Sequence, residues 1–146
     1  MITLTFEKYI NAPAQKVWQV LWSEDSYQEW AAAFMPGSRM VSDWKVGGKT
    51  YFLGPDNDGM VVTIESLKEP YEVVFKILGE VNKGVEDTTS EKVQAYSGSY
   101  EKYFLSGVDG KTRLVGTLET LEKYKDMMEE GFNQGFETVK RLSENN

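Results

Sequence analysis

Ile2, Leu4 and Phe6 alternate with Thr3, Thr5 and Glu7, the period of a strand with one buried face, so the chain opens on a strand. Asn11-Ala12-Pro13 ends it, and Pro13 suits the first turn of a helix carrying Val17, Trp18, Val20, Leu21 and Trp22. Ser23 can cap a second short helix with Glu24 and Asp25 in its first turn and Trp22 stapled onto Tyr27; it ends near Phe34, before Pro36-Gly37. From Arg39 the period returns to two. Turn signals at Gly47-Gly48, Pro55 to Gly59, Glu69-Pro70 and Asp109-Gly110 divide this region into antiparallel strands. The strands are expected at Met40 to Trp44, Thr50 to Leu53, Met60 to Leu67, Glu72 to Leu78, Gln94 to Leu105 and Thr112 to Leu118, with Gly79 to Lys92 as a polar loop.

Leu121 to Leu142 then has the period of a long amphipathic helix. On its apolar side, Gly131 and Gly135 lie beside Met128, Phe132 and Val139. Each interior glycine costs a helix about 1 kcal/mol relative to alanine, so space at these positions outweighs helix propensity. Two readings fit: a notched lid over a cavity, or notches that admit a neighbouring backbone or bulky side chain. The order β-αα-β(six)-α, with about seven strands and the helices segregated from them, predicts an α+β domain over residues 1–146 whose long helix buries its stripe on a curved antiparallel sheet.

The chain has 146 residues, a net charge of -7, no cysteine and no histidine. The acidic balance opposes a phosphate backbone, so no nucleic-acid partner is expected. No run approaches the roughly 20 apolar residues that cross a bilayer, and the opening MITLTFEKYI lacks a basic segment and a cleavage site; no membrane insertion and a cytoplasmic location are expected. Without cysteine or histidine, Ser-His and Cys-His triads, thiolate chemistry and ordinary zinc sites are excluded within this chain. Asp56-Asn57-Asp58-Gly59 resembles a calcium loop but lacks the spaced third ligand and distal glutamate, and reads as a hairpin turn. No metal, cofactor or catalytic residue is expected.

Asn11-Ala12-Pro13 followed by Lys16-Val17-Trp18, Leu21 and Trp30 resembles the opening of the SRPBCC (START-like, birch-pollen-allergen-like) superfamily, in the branch related to the activator of the heat-shock-protein ATPase. Asp43 to Lys49 resembles its paired-glycine turn, Gly59 to Pro70 a strand ending Leu-Lys-Glu-Pro, and Gly131-Phe132 with Leu142 its terminal helix. Phe132 stands where the branch more often has tryptophan. The resemblance implies a helix-grip fold in which the sheet curls around the long helix and leaves a hydrophobic cavity. Members bind lipids, polyketides or other apolar molecules, and some are cyclases.

The walls of such a cavity come from the inward parity of the strands and the grooved side of the helix. They are expected to be Trp30, Phe34, Met40, Trp44, Tyr51, Val62, Ile64, Phe75, Ile77, Met128, Phe132 and Phe136, all of which suit a filled core equally well. In the strand from Gln94 to Leu105 a bulge near Gly98 would switch the inward face, so Tyr100 and Tyr103 are alternatives for a polar contact; Tyr100 is placed in the ligand set. Arg39 lies near the expected mouth. No acid falls at an inward position of defined parity. The expectation is therefore a non-catalytic module for a small lipid, polyketide or aromatic molecule. The alternatives are a cyclase or dehydratase using a tyrosine or carboxylate, and a protein that stimulates a chaperone ATPase.

Overall fold

The computed structural model describes residues 1–145. Strand β1 (Ile2–Ile10) leads into helices α1 (Ala14–Trp22) and α2 (Glu24–Ala31). Strands β2 (Arg39–Ser42), β3 (Lys49–Leu53), β4 (Gly59–Lys68), β5 (Glu72–Asn82) and β6 (Val85–Asp87) follow. A short helix α3 (Glu91–Gln94), strands β7 (Tyr100–Val108) and β8 (Lys111–Thr120), a single 3₁₀ turn and helix α4 (Lys125–Glu144) complete the order. The eight strands form one antiparallel sheet in the order β1-β8-β7-β5-β4-β3-β2, with β6 paired to β5. It curves around α4, the helix-grip architecture, with one strand more than the sequence pattern predicts.

That extra strand corrects the Gly79 to Lys92 loop. The strand β5 continues to Asn82, turns through Lys83 and Gly84, both at positive φ, and returns as β6. The polar composition of this segment hid a two-residue hairpin, because its outer strand is short and exposed. The expected start of the following strand at Gln94 is also corrected. Ser90 caps α3 by accepting from the Val93 amide, and the chain turns through Gly98 before β7 begins at Tyr100.

The main core lies between the concave sheet face and the three larger helices. Leu4, Phe6 and Ile10 of β1, Val73, Phe75 and Ile77 of β5, Leu114 and Leu118 of β8, and Phe132, Phe136 and Val139 of α4 belong to it. The expected staple between Trp22 and Tyr27 is present as stacked rings 6.4 Å apart. Ser23 occupies the cap position of α2 without a side-chain cap hydrogen bond.

The notches in α4 are filled by α2 and its trailing turn. A β-carbon on Gly131 would lie 2.5 Å from Phe34 Cδ1, and one on Gly135 would lie 3.0 Å from Trp30 Cε3 and 3.2 Å from the Trp30 carbonyl oxygen. Of the two readings of these glycines, close packing of a neighbouring helix is the one the structure shows. The vacancy that remains lies beside the notch.

Candidate functional site

That vacancy is a half-open cavity of about 230 Å³ between α2, the β3–β4 hairpin, β7 and the first half of α4. Helix α2 and its trailing turn supply Tyr27, Trp30, Ala31, Phe34 and Met35 because the 3.6-residue period sets residues 27, 30, 31 and 34 on one face. Phe52 and Met60 enter from the hairpin, Glu101 and Tyr103 from β7, and Met128 and Phe132 from α4. Other hollows offer less apolar wall. One of about 380 Å³ lies among Lys16, Gln19, Asp25 and Glu29 on the outside of α1 and α2 and has little apolar wall to hold a guest.

Ser38 and the exposed Asp58 are among the lining residues, and the rest of the lining is apolar apart from Glu101 and the hydroxyls of Tyr27 and Tyr103. Tyr103 Oη donates to Glu101 Oε2 at 2.7 Å, both side chains rising from the concave face of β7 at alternate positions. Glu101 is flanked in the sheet by Phe75 of β5 and Leu118 of β8, so neither neighbour offers it a charge. Protein surrounds the carboxyl, and the surface it keeps is cavity wall. Burial holds its pKa above the ordinary 4.5, while the Tyr103 hydrogen bond opposes that rise. The Tyr103 hydroxyl is pushed well above 10.0, first by burial and then by the adjacent carboxylate. Tyr27, across the cavity on α2, is raised by burial and by the charge of Glu101. No lysine or arginine lines the space among the described residues.

Chemically, this is a half-open aromatic cavity with one ionisable acid in its wall, whose second oxygen, Oε1, accepts no hydrogen bond from the described residues. Such a group can donate or accept a hydrogen bond according to its protonation, and can transfer a proton to a guest. Among the described residues no cluster of three or more acidic, histidine or cysteine side chains could hold a metal ion, and no helix is long and apolar enough to cross a membrane.

The structure distributes the residues expected from the sequence over four places: the main cavity, a separate cleft, the core and the convex face of the sheet. Trp30, Phe34, Met128 and Phe132 line the main cavity. Met40 and Trp44 line a separate cleft of about 130 Å³ with Trp22 and Ser42. Val62, Ile64, Phe75, Ile77 and Phe136 are buried in the core, and Phe136 closes against Gly116, where an added β-carbon would lie 2.9 Å from its ring.

Two tyrosine placements are corrected. Tyr51 is on the convex face, where its hydroxyl donates to Glu86 Oε2 at 2.7 Å, because Thr50 and Phe52 take the inward parity of β3. Tyr100 also points outward: Lys102 Nζ lies 4.9 Å from its ring centroid, and Tyr103 with Leu105 takes the inward parity of β7. Arg39 bonds Asn57 Oδ1 at the tip of the β3–β4 hairpin.

Sequence reasoning left out Tyr27, Phe52 and Glu101. The signal for Glu101 was present, since it shares parity with Tyr103 and Leu105. Fixing the inward face at Tyr103 places the acid inside.

Comparison with known proteins agrees with this architecture. Residues 11–144 match the family model described as Activator of Hsp90 ATPase homolog 1-like protein. No curated protein matches the chain. Among solved structures, the solution structure of the Aha1 dimer from Colwellia psychrerythraea superposes with a TM-score of 0.72 at 15% identity, covering 99% of this chain and 97% of that one. Protein Ms6760 from Mycobacterium smegmatis gives 0.65 at 20% identity, covering 96% and 89%. Protein CV1439 from Chromobacterium violaceum gives 0.70 at 14% identity over the whole of both chains. These identities speak to the fold alone, but the family model spans nearly the entire sequence, and the chain belongs to the Activator of Hsp90 ATPase homolog 1-like family.

Proposed function

We propose that this protein binds a small apolar or amphipathic molecule in the cavity between α2, the sheet and α4, without transforming it. The observation that carries this reading is the aromatic lining interrupted by a hydrogen-bonded polar pair, Glu101 and Tyr103, which can orient a guest while the rings supply the apolar contact. A volume of about 230 Å³ suits a molecule of one or two rings. Pockets for drug-sized ligands run from about 300 Å³ upward, so a long acyl chain or a four-ring polyketide needs the walls to move apart. Thermal unfolding in the presence of fatty acids, flavonoids and one- and two-ring aromatics tests the reading, because a guest that binds only the folded state raises the midpoint. No shift with any of them would overturn it.

Glu101 also favours a second reading. A carboxyl held in apolar surroundings is the group that proton-transfer enzymes use at neutral pH, so a cyclase or dehydratase acting through Glu101 and Tyr103 is consistent with the geometry. Turnover of a bound guest that disappears in Glu101→Gln would favour it over simple binding. A chaperone partner is supported only by the family's description, and failure to recover a chaperone on the immobilised protein would count against it.

A further inference from the structure

Glu101 is the one acid buried in the cavity wall among the described residues, and its environment is unbalanced in a specific way. One carboxylate oxygen accepts from Tyr103 at 2.7 Å, the other accepts no hydrogen bond from the described residues, and no cation lines the cavity among them. The rings of Tyr27 and Trp30 on α2, Phe52 on β3 and Phe132 on α4 line the same cavity as the carboxylate. Rings present negative electrostatic potential on their faces, so they stabilise a nearby cation and repel an anion. A neutral apolar guest leaves the second oxygen buried and unpaired. An anionic guest adds like charge in a medium that screens poorly. A protonated amine satisfies the free oxygen by a charge-assisted hydrogen bond while the rings offset the loss of its water.

We infer that the guest of this cavity is an aromatic or alicyclic primary amine bound as its ammonium, with the nitrogen at Glu101 Oε1 and the ring system against Trp30, Phe52 and Phe132. The inference rests on the binding reading above and names its ligand class. The acidic surface of the whole chain, at net charge -7, draws the same class of molecule toward the protein.

Three probes of matched shape separate the cases: tryptamine, 3-propylindole, which replaces the ammonium by methyl, and indole-3-propionate, which replaces it by carboxylate. Calorimetry at neutral pH is expected to give tryptamine about tenfold or more tighter binding than 3-propylindole, with no detectable binding of the propionate. In Glu101→Gln, which keeps the shape and removes the charge, the preference for tryptamine is expected to fall to about twofold or less while 3-propylindole still binds. The comparison between probes on the unaltered protein decides the matter even if that variant folds poorly. Equal or tighter binding of 3-propylindole overturns the inference and leaves the binding reading standing. The inference falls in the same way if all three probes fail while another neutral guest of the wider panel binds. If no guest of any kind binds, both fail together.

Discussion

Phe34 lays the edge of its ring where a side chain on Gly131 would stand, with Cδ1 2.5 Å from the position of the missing β-carbon. Gly131→Ala therefore sets two effects against each other. Helix propensity gains about 1 kcal/mol, and overpacking costs about 1–3 kcal/mol. The expected outcome is a net loss of about 1 kcal/mol in denaturant unfolding. In a Phe34→Ala background the obstacle is gone, and the same glycine replacement is expected to become stabilising. That change of sign in a double-mutant cycle is the measurement that ties the glycine to the ring.

Glu101 gives the stability an unusual pH dependence. Its carboxyl is held above its ordinary 4.5 by burial, so the folded protein binds that proton more tightly than the unfolded chain. Its contribution is complete below the ordinary carboxylate value and is lost as pH rises through the folded-state pKa. Glu80, held low by Lys92 and then by Tyr96, behaves oppositely and loses its contribution on acidification, as do Glu86, lowered by Lys49 and Tyr51, and Asp87, lowered by Ser90. Urea unfolding across pH is expected to show that Glu101→Gln removes the decline that begins above the ordinary carboxylate value and leaves the acid limb in place, as well as the separate loss above about pH 10 set by the buried Tyr27 and Tyr103.

Tyr103→Phe deprives the buried carboxylate of its hydrogen bond without changing the shape of the wall. The carboxyl pKa is expected to climb further, since the lost bond favours the charged form. The variant is expected to lose about 1–3 kcal/mol where Glu101 is ionised and much less where it is protonated. Equal losses at both ends of the pH range would show that packing, not the hydrogen bond, is the role of the hydroxyl.

Phe132 joins the cavity to the core. Its ring stacks on Phe6 at 4.7 Å and meets Phe34 edge-on at 4.9 Å and Phe136 at 5.7 Å. Phe132→Ala is expected to cost about 3–5 kcal/mol in unfolding free energy, because the aromatic stack loses its middle member and the space beside it grows. Benzene or indole added to this variant is expected to recover part of the loss, read as a raised unfolding midpoint.

Most of the architecture was written in periodicity. Ile2, Leu4 and Phe6 on the first strand and the stripe of Met128, Phe132 and Val139 on the last helix have one burial solution each, so their faces were legible. Tyr51 and Tyr100 were not, because a tyrosine fits either face of a strand and only its neighbours decide. Phe52 is more apolar than Tyr51, and Tyr103 shares its face with Leu105. The β5–β6 hairpin escaped because it carries little hydrophobic alternation and is held by backbone pairing and by links such as Asp58 accepting from the Lys83 amide at 2.6 Å. Glu101 escaped for a different reason. Its presence inside contradicts the hydrophobic pattern that defines inside, and such a contradiction marks function more often than folding.

The clustering of the indoles has a practical consequence. All four tryptophans belong to one packed group, with Trp22 at its centre, 5.5 Å from Trp44, 6.2 Å from Trp18 and 6.4 Å from Trp30, and Trp30 forms part of the cavity wall. At these separations excitation migrates among the rings, so quenching at Trp30 drains emission from the whole set. A guest that reached Trp30 would therefore report its own arrival in the intrinsic emission, without a label.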